Sequence, residues 1–102
     1  MKPKTRKYKI LGDTWTETVT DKMRSGEGNL KETDAGQCFQ FTQEILLSAE
    51  MCPSKLSQTR RHEILHAISW RLGLELNESQ IDGLVYALPD VAKTAKVDWN
   101  KR

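Results

Sequence analysis

The sequence predicts an α+β domain: a small antiparallel or mixed sheet of about three strands, packed on two consecutive helices. Three observations carry this. Short runs rich in β-branched and aromatic residues, broken by glycines, fill the chain to about residue 49. After Cys52-Pro53-Ser54 the apolar spacing turns helical and stays so to about Leu88. A chain of 102 residues fits one domain, here residues 1–102, with one modest core.

The first strand is expected over Lys7–Gly12, "KYKILG". The basic residues around its start, Lys2, Lys4, Arg6, Lys7 and Lys9, read as a solvated terminus with residues 1–6 poorly ordered; a phosphate-contacting arm is the alternative. Gly12-Asp13 is a hairpin turn signal. Thr14–Thr20 follows as a second strand, with Trp15, Glu17 and Val19 on one face and four threonines on the other. Arg24–Asn29, "RSGEGN", is a loop. Gln37–Thr42 alternates and predicts a third strand with Phe39 and Phe41 on one side. Ile45–Ala49 either extends that strand or begins a short helix.

Ser54 or Ser57 can cap the first helix, which should run to about Leu72 with Gly73 as a left-handed stop. Leu74–Leu76 is a short link. Asn77 is a good N-cap for a second helix through about Leu88, where Pro89 ends or offsets it. Residues 95–102 are expected to be poorly ordered, with Trp99 able to dock on the body.

Composition narrows the class. Hydrophobic residues at 37% and charged residues at 29% suit a folded globular chain. No apolar run approaches the ~18–20 residues that span a bilayer, so no membrane role is expected. The basic start has no apolar segment behind it, so it is not a secretory signal, and the default is cytoplasmic. A net charge of +2 is too weak to argue for nucleic acid by itself. Cys38 and Cys52 are expected as two buried free thiols rather than a disulfide.

The chain's two histidines both lie in "RRHEILHAISWRLG", at His62 and His66, with Glu63 beside the first. On a helix advancing about 100° per residue, His66 lies about 40° and Glu63 about 100° from His62, while Ile64, Leu65, Ile68 and Leu72 fall between about 200° and 300°. The imidazoles and the carboxylate are therefore expected opposite the apolar stripe, facing solvent or a cleft. Imidazoles four residues apart can converge on one cation. Zinc takes neutral nitrogens at about 2.0–2.1 Å and leaves a catalytic site one open position. The intervening glutamate is placed to act as a base toward a water held there, which gives H-E-x-x-H its chemistry. Two solvated histidines on a polar face are the bland alternative.

With no third histidine, the third ligand must be a carboxylate or a cysteine thiolate, and the extended H-E-x-x-H-x-x-G-x-x-H pattern is excluded at Ser69 and Leu72. "NESQIDGLVYAL" puts Glu78 and Asp82 on one face of the second helix, beside Ile81, Leu84, Val85 and Leu88. A helical hairpin turns both acids toward the histidines. Glu78 can be the ligand and Asp82 the group that fixes a histidine tautomer, or the two can exchange roles. Tyr86 is a candidate to stabilise an oxyanion or a packing residue, and Trp70 a wall of the cleft or part of the core.

"HEILH" followed by "NESQID" resembles the gluzincin zinc metallopeptidases, and the short chain is similar to minimal metallopeptidase-like proteins often encoded by phages and prophages. The resemblance covers Gly36 to about Leu88. It implies His62, His66 and Glu78 as Zn2+ ligands, Glu63 as general base, Asp82 as support to a ligand, and a peptide or protein substrate. It also implies that a strand near the first helix, Gln37–Thr42, pairs with the substrate backbone. The interval from His66 to Glu78 is shorter than in large gluzincins, and there is no separate substrate-binding subdomain. Two other readings compete: a non-catalytic zinc-binding or partner-binding module, and a helix-turn-helix nucleic-acid binder. Against the latter, the second helix carries Glu78 and Asp82 and no basic residue before Lys93.

Overall fold

Two neighbouring residues with positive φ, Leu11 at 49° and Gly12 at 90°, close the first hairpin. Two such residues in succession match the twist of the flanking strands. The turn therefore lies one residue earlier than Gly12-Asp13, and Asp13 already pairs with Ile10. The computed structural model describes residues 2–21 and 35–95. In chain order these form β1 (Lys4–Ile10), β2 (Asp13–Thr20), β3 (Gly36–Phe39), β4 (Glu44–Ser48), α1 (Pro53–Arg71) and α2 (Glu78–Ala95). The Arg24–Asn29 loop and residues 96–102 lie outside the described residues. No helix among them is long and apolar enough to cross a membrane.

The fold is α+β, with four strands rather than three in the order β1-β2-β4-β3. β2 runs parallel to β4, and the other two pairings are antiparallel. β1 begins at Lys4, so three of the residues expected to be disordered belong to the sheet edge. Lysines on an edge strand discourage further strand pairing. The expected Gln37–Thr42 strand stops at Phe39. Gln40–Gln43 form a turn with Gln43 at φ 55°, and Phe41 is 95% exposed at its tip. Ile45–Ala49 is neither an extension nor a helix but mostly the inner strand β4. Ile45, Leu46 and Leu47 are all buried there, which is why the run does not alternate.

Ile45 and Leu47 join Ile10, Trp15 and Ala67 in the core between the sheet and α1. The helix also docks by charge. Glu17 of β2 is 1% exposed, and Arg60 donates Nε to its Oε1 at 2.7 Å and Nη2 to its Oε2 at 3.1 Å. Tyr8 donates its hydroxyl to the same carboxylate at 3.0 Å. Burial and that carboxylate push the Tyr8 hydroxyl pKa up, so it stays a donor.

α1 starts at Pro53, with Cys52 as an N-cap that makes no side-chain bond; neither Ser54 nor Ser57 caps it. Proline suits the first helical position, whose N–H would have no partner in the helix. Both cysteines are free, but Cys52 is exposed rather than buried. Gly73, at φ 68°, stops the helix as expected. α2 does not end at Pro89 but continues to Ala95. A proline inside a helix deprives the carbonyl four residues earlier of its donor. That carbonyl belongs to Val85, and the Arg61 guanidinium Nε donates to it at 3.3 Å. The replacement bond comes from α1, so it also ties the helices together.

Arg61→Ala should therefore lower stability by roughly 1–2 kcal/mol in urea denaturation, the value of a lost bond to a semi-buried carbonyl. Adding Pro89→Ala supplies an N–H for Val85 and should recover most of that loss. Simple additivity of the two changes would refute the coupling.

Candidate metal centre

The link between the helices positions the acids. The amide of Leu74 donates to the Ser69 carbonyl at 2.9 Å, and Ser69 Oγ donates back to the Leu74 carbonyl at 2.9 Å. The chain then enters α2 through a reciprocal cap. Asn77 Oδ1 accepts from the Gln80 amide at 2.8 Å, and Gln80 Oε1 accepts from the Asn77 amide at 2.9 Å. Asn77 is the N-cap the sequence indicates. Glu78 thereby becomes the first residue of α2, with Asp82 one turn later, and both point at α1.

Glu78 spans the two imidazoles. Its Oε2 lies 3.0 Å from His62 Nε2 and its Oε1 lies 3.1 Å from His66 Nε2. The two Nε2 atoms are 3.1 Å apart. Donors of a tetrahedral ion at about 2.0–2.1 Å stand about 3.3–3.4 Å from one another. The three groups need to part only slightly to seat one, and His62, His66 and Glu78 form a group that could hold a metal ion. Asp82 Oδ1 lies 2.9 Å from His62 Nδ1. A carboxylate accepts, so Asp82 engages Nδ1 and leaves Nε2 as the atom of His62 turned toward His66 and Glu78. Burial, more than the neighbouring His62, lowers the His66 pKa against the opposing pull of Glu78. That favours the neutral imidazole, the form that binds a metal. The His62 and His66 side chains are 22% and 21% exposed, whereas Glu78 is 69% exposed, so the group opens to solvent on its acidic side.

Of the two surroundings expected for Glu63, solvent or a cleft, the structure gives the cleft. It is not on a solvent face: it is 7% exposed and packs against β3. A Cβ added at Gly36 would sit 3.0 Å from both Cγ and Oε2 of Glu63 and 2.6 Å from Thr59 Cγ2. The buried line of α1 is Thr59, Glu63 and Ala67, spaced four apart, while Leu72 of the expected apolar stripe is exposed. The helix has a sheet on one side and α2 on the other, and the side of Glu63 is the sheet side. Its carboxylate still lines a cleft of about 270 Å³ with His62 and Asp82.

Gly36, Lys55 and Gln58 also line this cleft, and sequence reasoning passed over all three. The signal available was weak: a glycine opening a strand, and two polar residues one and two turns before His62. Tyr86 lines the cleft too, and its hydroxyl donates to Gln58 Oε1 at 3.5 Å. Trp70 is neither core nor a wall of this cleft: it is 37% exposed, and its ring stacks on His66 with centroids 5.9 Å apart. Cys38 is no ligand here. Burial, more than nearby Glu63, raises its thiol pKa, and the thiol donates to the Glu63 carbonyl at 3.5 Å.

No protein-family model matches the sequence, and no curated protein or solved structure matches it.

Gly36→Ala should force Thr59 and Glu63 away from β3. A loss of about 1–3 kcal/mol in denaturant unfolding is expected from such overpacking. A variant as stable as the parent would show that β3 and α1 separate easily.

Proposed function

We propose that this chain is a small zinc-dependent peptidase of the gluzincin kind, with His62, His66 and Glu78 as ligands, Glu63 as general base and Asp82 as the support of His62. The observation that carries the reading is the Glu78 carboxylate bridging both Nε2 atoms at 3.0 and 3.1 Å, next to the cleft that holds Glu63. Nitrogen and carboxylate donors with one side open to solvent suit a catalytic zinc rather than a closed structural one.

When bound, zinc would supply a Lewis acid that polarises a peptide carbonyl and makes water acidic near neutral pH. The residues of the chain do the rest. Asp82 holds the His62 ring so that Nε2 faces inward. Glu63 takes the proton of the attacking water and returns it to the leaving amine. Tyr86 is placed on the cleft wall to donate toward the developing oxyanion. β3 stands last in the strand order beside the cleft, where an extended peptide can lie along it. Both cysteines are free thiols, which suits a cytoplasmic setting. The nucleic-acid reading is not carried forward, because α2 directs Glu78 and Asp82 at α1 rather than a basic face at a groove.

The purified protein should hold about one zinc per chain, and His62→Ala should lose it. Asp82→Ala should weaken zinc binding by about 10–100-fold. Glu63→Gln should keep zinc and lose peptide hydrolysis. If the wild type holds zinc yet Glu63→Gln hydrolyses as fast, Glu63 is not the base. A wild type that binds no zinc sinks the whole reading.

A further inference from the structure

The metal centre lies on the β3 side of the sheet. At the opposite edge, β1 and the first half of α1 bound a separate hollow of about 520 Å³. Its size falls in the range of about 300–1,000 Å³ that holds small organic ligands. Strand alternation sends Lys4 and Arg6 to the same face of β1 as Tyr8 and Ile10, which is the face that meets α1. In the register of β1 with β2, Arg6 stands opposite Glu17 and Lys4 opposite Val19. Arg60 lines the hollow from α1, one turn after Leu56. Glu17 is already occupied within the fold: it accepts from Tyr8 and twice from Arg60. Arg6 Nε comes only to 3.6 Å from it, beyond hydrogen-bond range. A guanidinium is planar, so seating the Nε–Nη2 edge of Arg60 on Glu17 turns Nη1 away from that carboxylate. Among the described residues, neither Arg60 Nη1 nor Lys4 makes a hydrogen bond or ion pair. Three cations around one carboxylate leave the hollow a surplus of two positive charges.

We propose that this hollow binds a small phosphate monoester with an apolar or aromatic body. A phosphate monoester carries close to two negative charges near neutral pH, which cancels the surplus; a carboxylate brings only one. The planar fork of arginine matches phosphate oxygens, and Glu17 holds Arg60 ready, so little order is lost on binding. Val19 and Leu56, both packed against the core, supply an apolar part of the lining that a bare phosphate would leave uncovered. The ligand bridges β1 and α1 through Arg6 and Arg60. The proposal depends neither on a metal nor on the peptidase reading, because none of these residues belongs to the His62–His66–Glu78 group.

The test follows the backbone amide NMR spectrum of the full chain during titration with phenyl phosphate, inorganic phosphate and potassium chloride at matched ionic strength. Phenyl phosphate should shift the amides of residues 4–8, 17–19 and 56–60, and saturate roughly 10-fold below inorganic phosphate because its ring covers apolar surface. Arg60 is left intact, since removing it would strand a buried carboxylate. Lys4→Gln with Arg6→Gln, both exposed on the edge strand, should weaken phenyl phosphate about 10-fold or more. Lys7→Gln with Lys9→Gln removes the same charge from residues that do not line the hollow and should cost less than about 2-fold. Equal losses in the two double variants would reduce the effect to general surface charge and overturn the site. Shifts centred on His62, His66 and Glu78 would put the anion at the metal centre and overturn it as well. No saturable shift at millimolar phenyl phosphate, or inorganic phosphate binding just as tightly, would overturn the monoester.

Discussion

Helix α1 must satisfy two neighbours at once, and the histidines stand where its two contact faces meet. On a scale of about 100° per residue from His62, the residues that meet the sheet run from Thr59 at about 60° through Glu63, Leu56, Ala67 and Arg60 to Ile68 at about 240°. The α2 side holds Arg61, Leu65 and Ser69, between about 260° and 340°. What remains is a narrow seam containing His62 and His66. A side chain in that seam is walled by packed structure on both sides and still opens outward. Placed in either face, the imidazoles would be core; placed on an isolated helix, they would be unoriented. The sheet-facing arc includes threonine, glutamate, alanine and arginine, so burial of apolar area alone does not dock the helix. The buried Glu17–Arg60 pair supplies direction where apolar contact is thin. A paired charge in such a place fixes geometry more than it adds stability.

Charge explains why two acids accompany two imidazoles. A divalent ion held by two neutral histidines and one carboxylate leaves one net positive charge. Asp82, on the far nitrogen of His62, brings the local sum to zero. The two carboxylates also divide the nitrogens between them: Glu78 meets Nε2 of both rings, and Asp82 meets Nδ1 of one. Acids so close would by themselves favour protonated rings. Burial of His66 works the other way and keeps that ring competent to bind metal.

The parts legible in sequence were those set by local chemistry. The H-E-x-x-H spacing, the Asn77 cap, the Gly73 stop and the pairing of Glu78 with Asp82 depend on positions within one or two helical turns, and each has a residue type that does the work. The parts that were not legible depend on neighbours distant in sequence. Gln37–Thr42 alternates across a turn, so its pattern ran on after the strand had ended. Pro89 reads as a stop until Arg61, 24 residues earlier in sequence than Val85, supplies the missing donor. That Glu63 is buried against β3 at the cleft was not legible, because a single helix does not announce that a sheet covers its polar side. Glu17 reads as one more polar residue in a threonine strand, and its burial becomes tolerable through Arg60, 43 residues later, with Tyr8 on the neighbouring strand.

On the proposed reading, α1 itself supplies a surface along which a substrate would lie. Lys55, His62 and His66 lie in the seam, with Gln58 on its α2 margin and Trp70 on its sheet margin, and the fifteen steps from Lys55 to Trp70 span about 22 Å. That length matches six or seven residues of extended chain. Along it the surface changes from a cation through the His62–His66–Glu78 group to an aromatic ring. β3 supplies the opposite bank, and Gly36 lets that bank close to van der Waals distance from Glu63. On the proposed peptidase reading, a substrate would gain affinity by lying extended along this surface rather than by being enclosed.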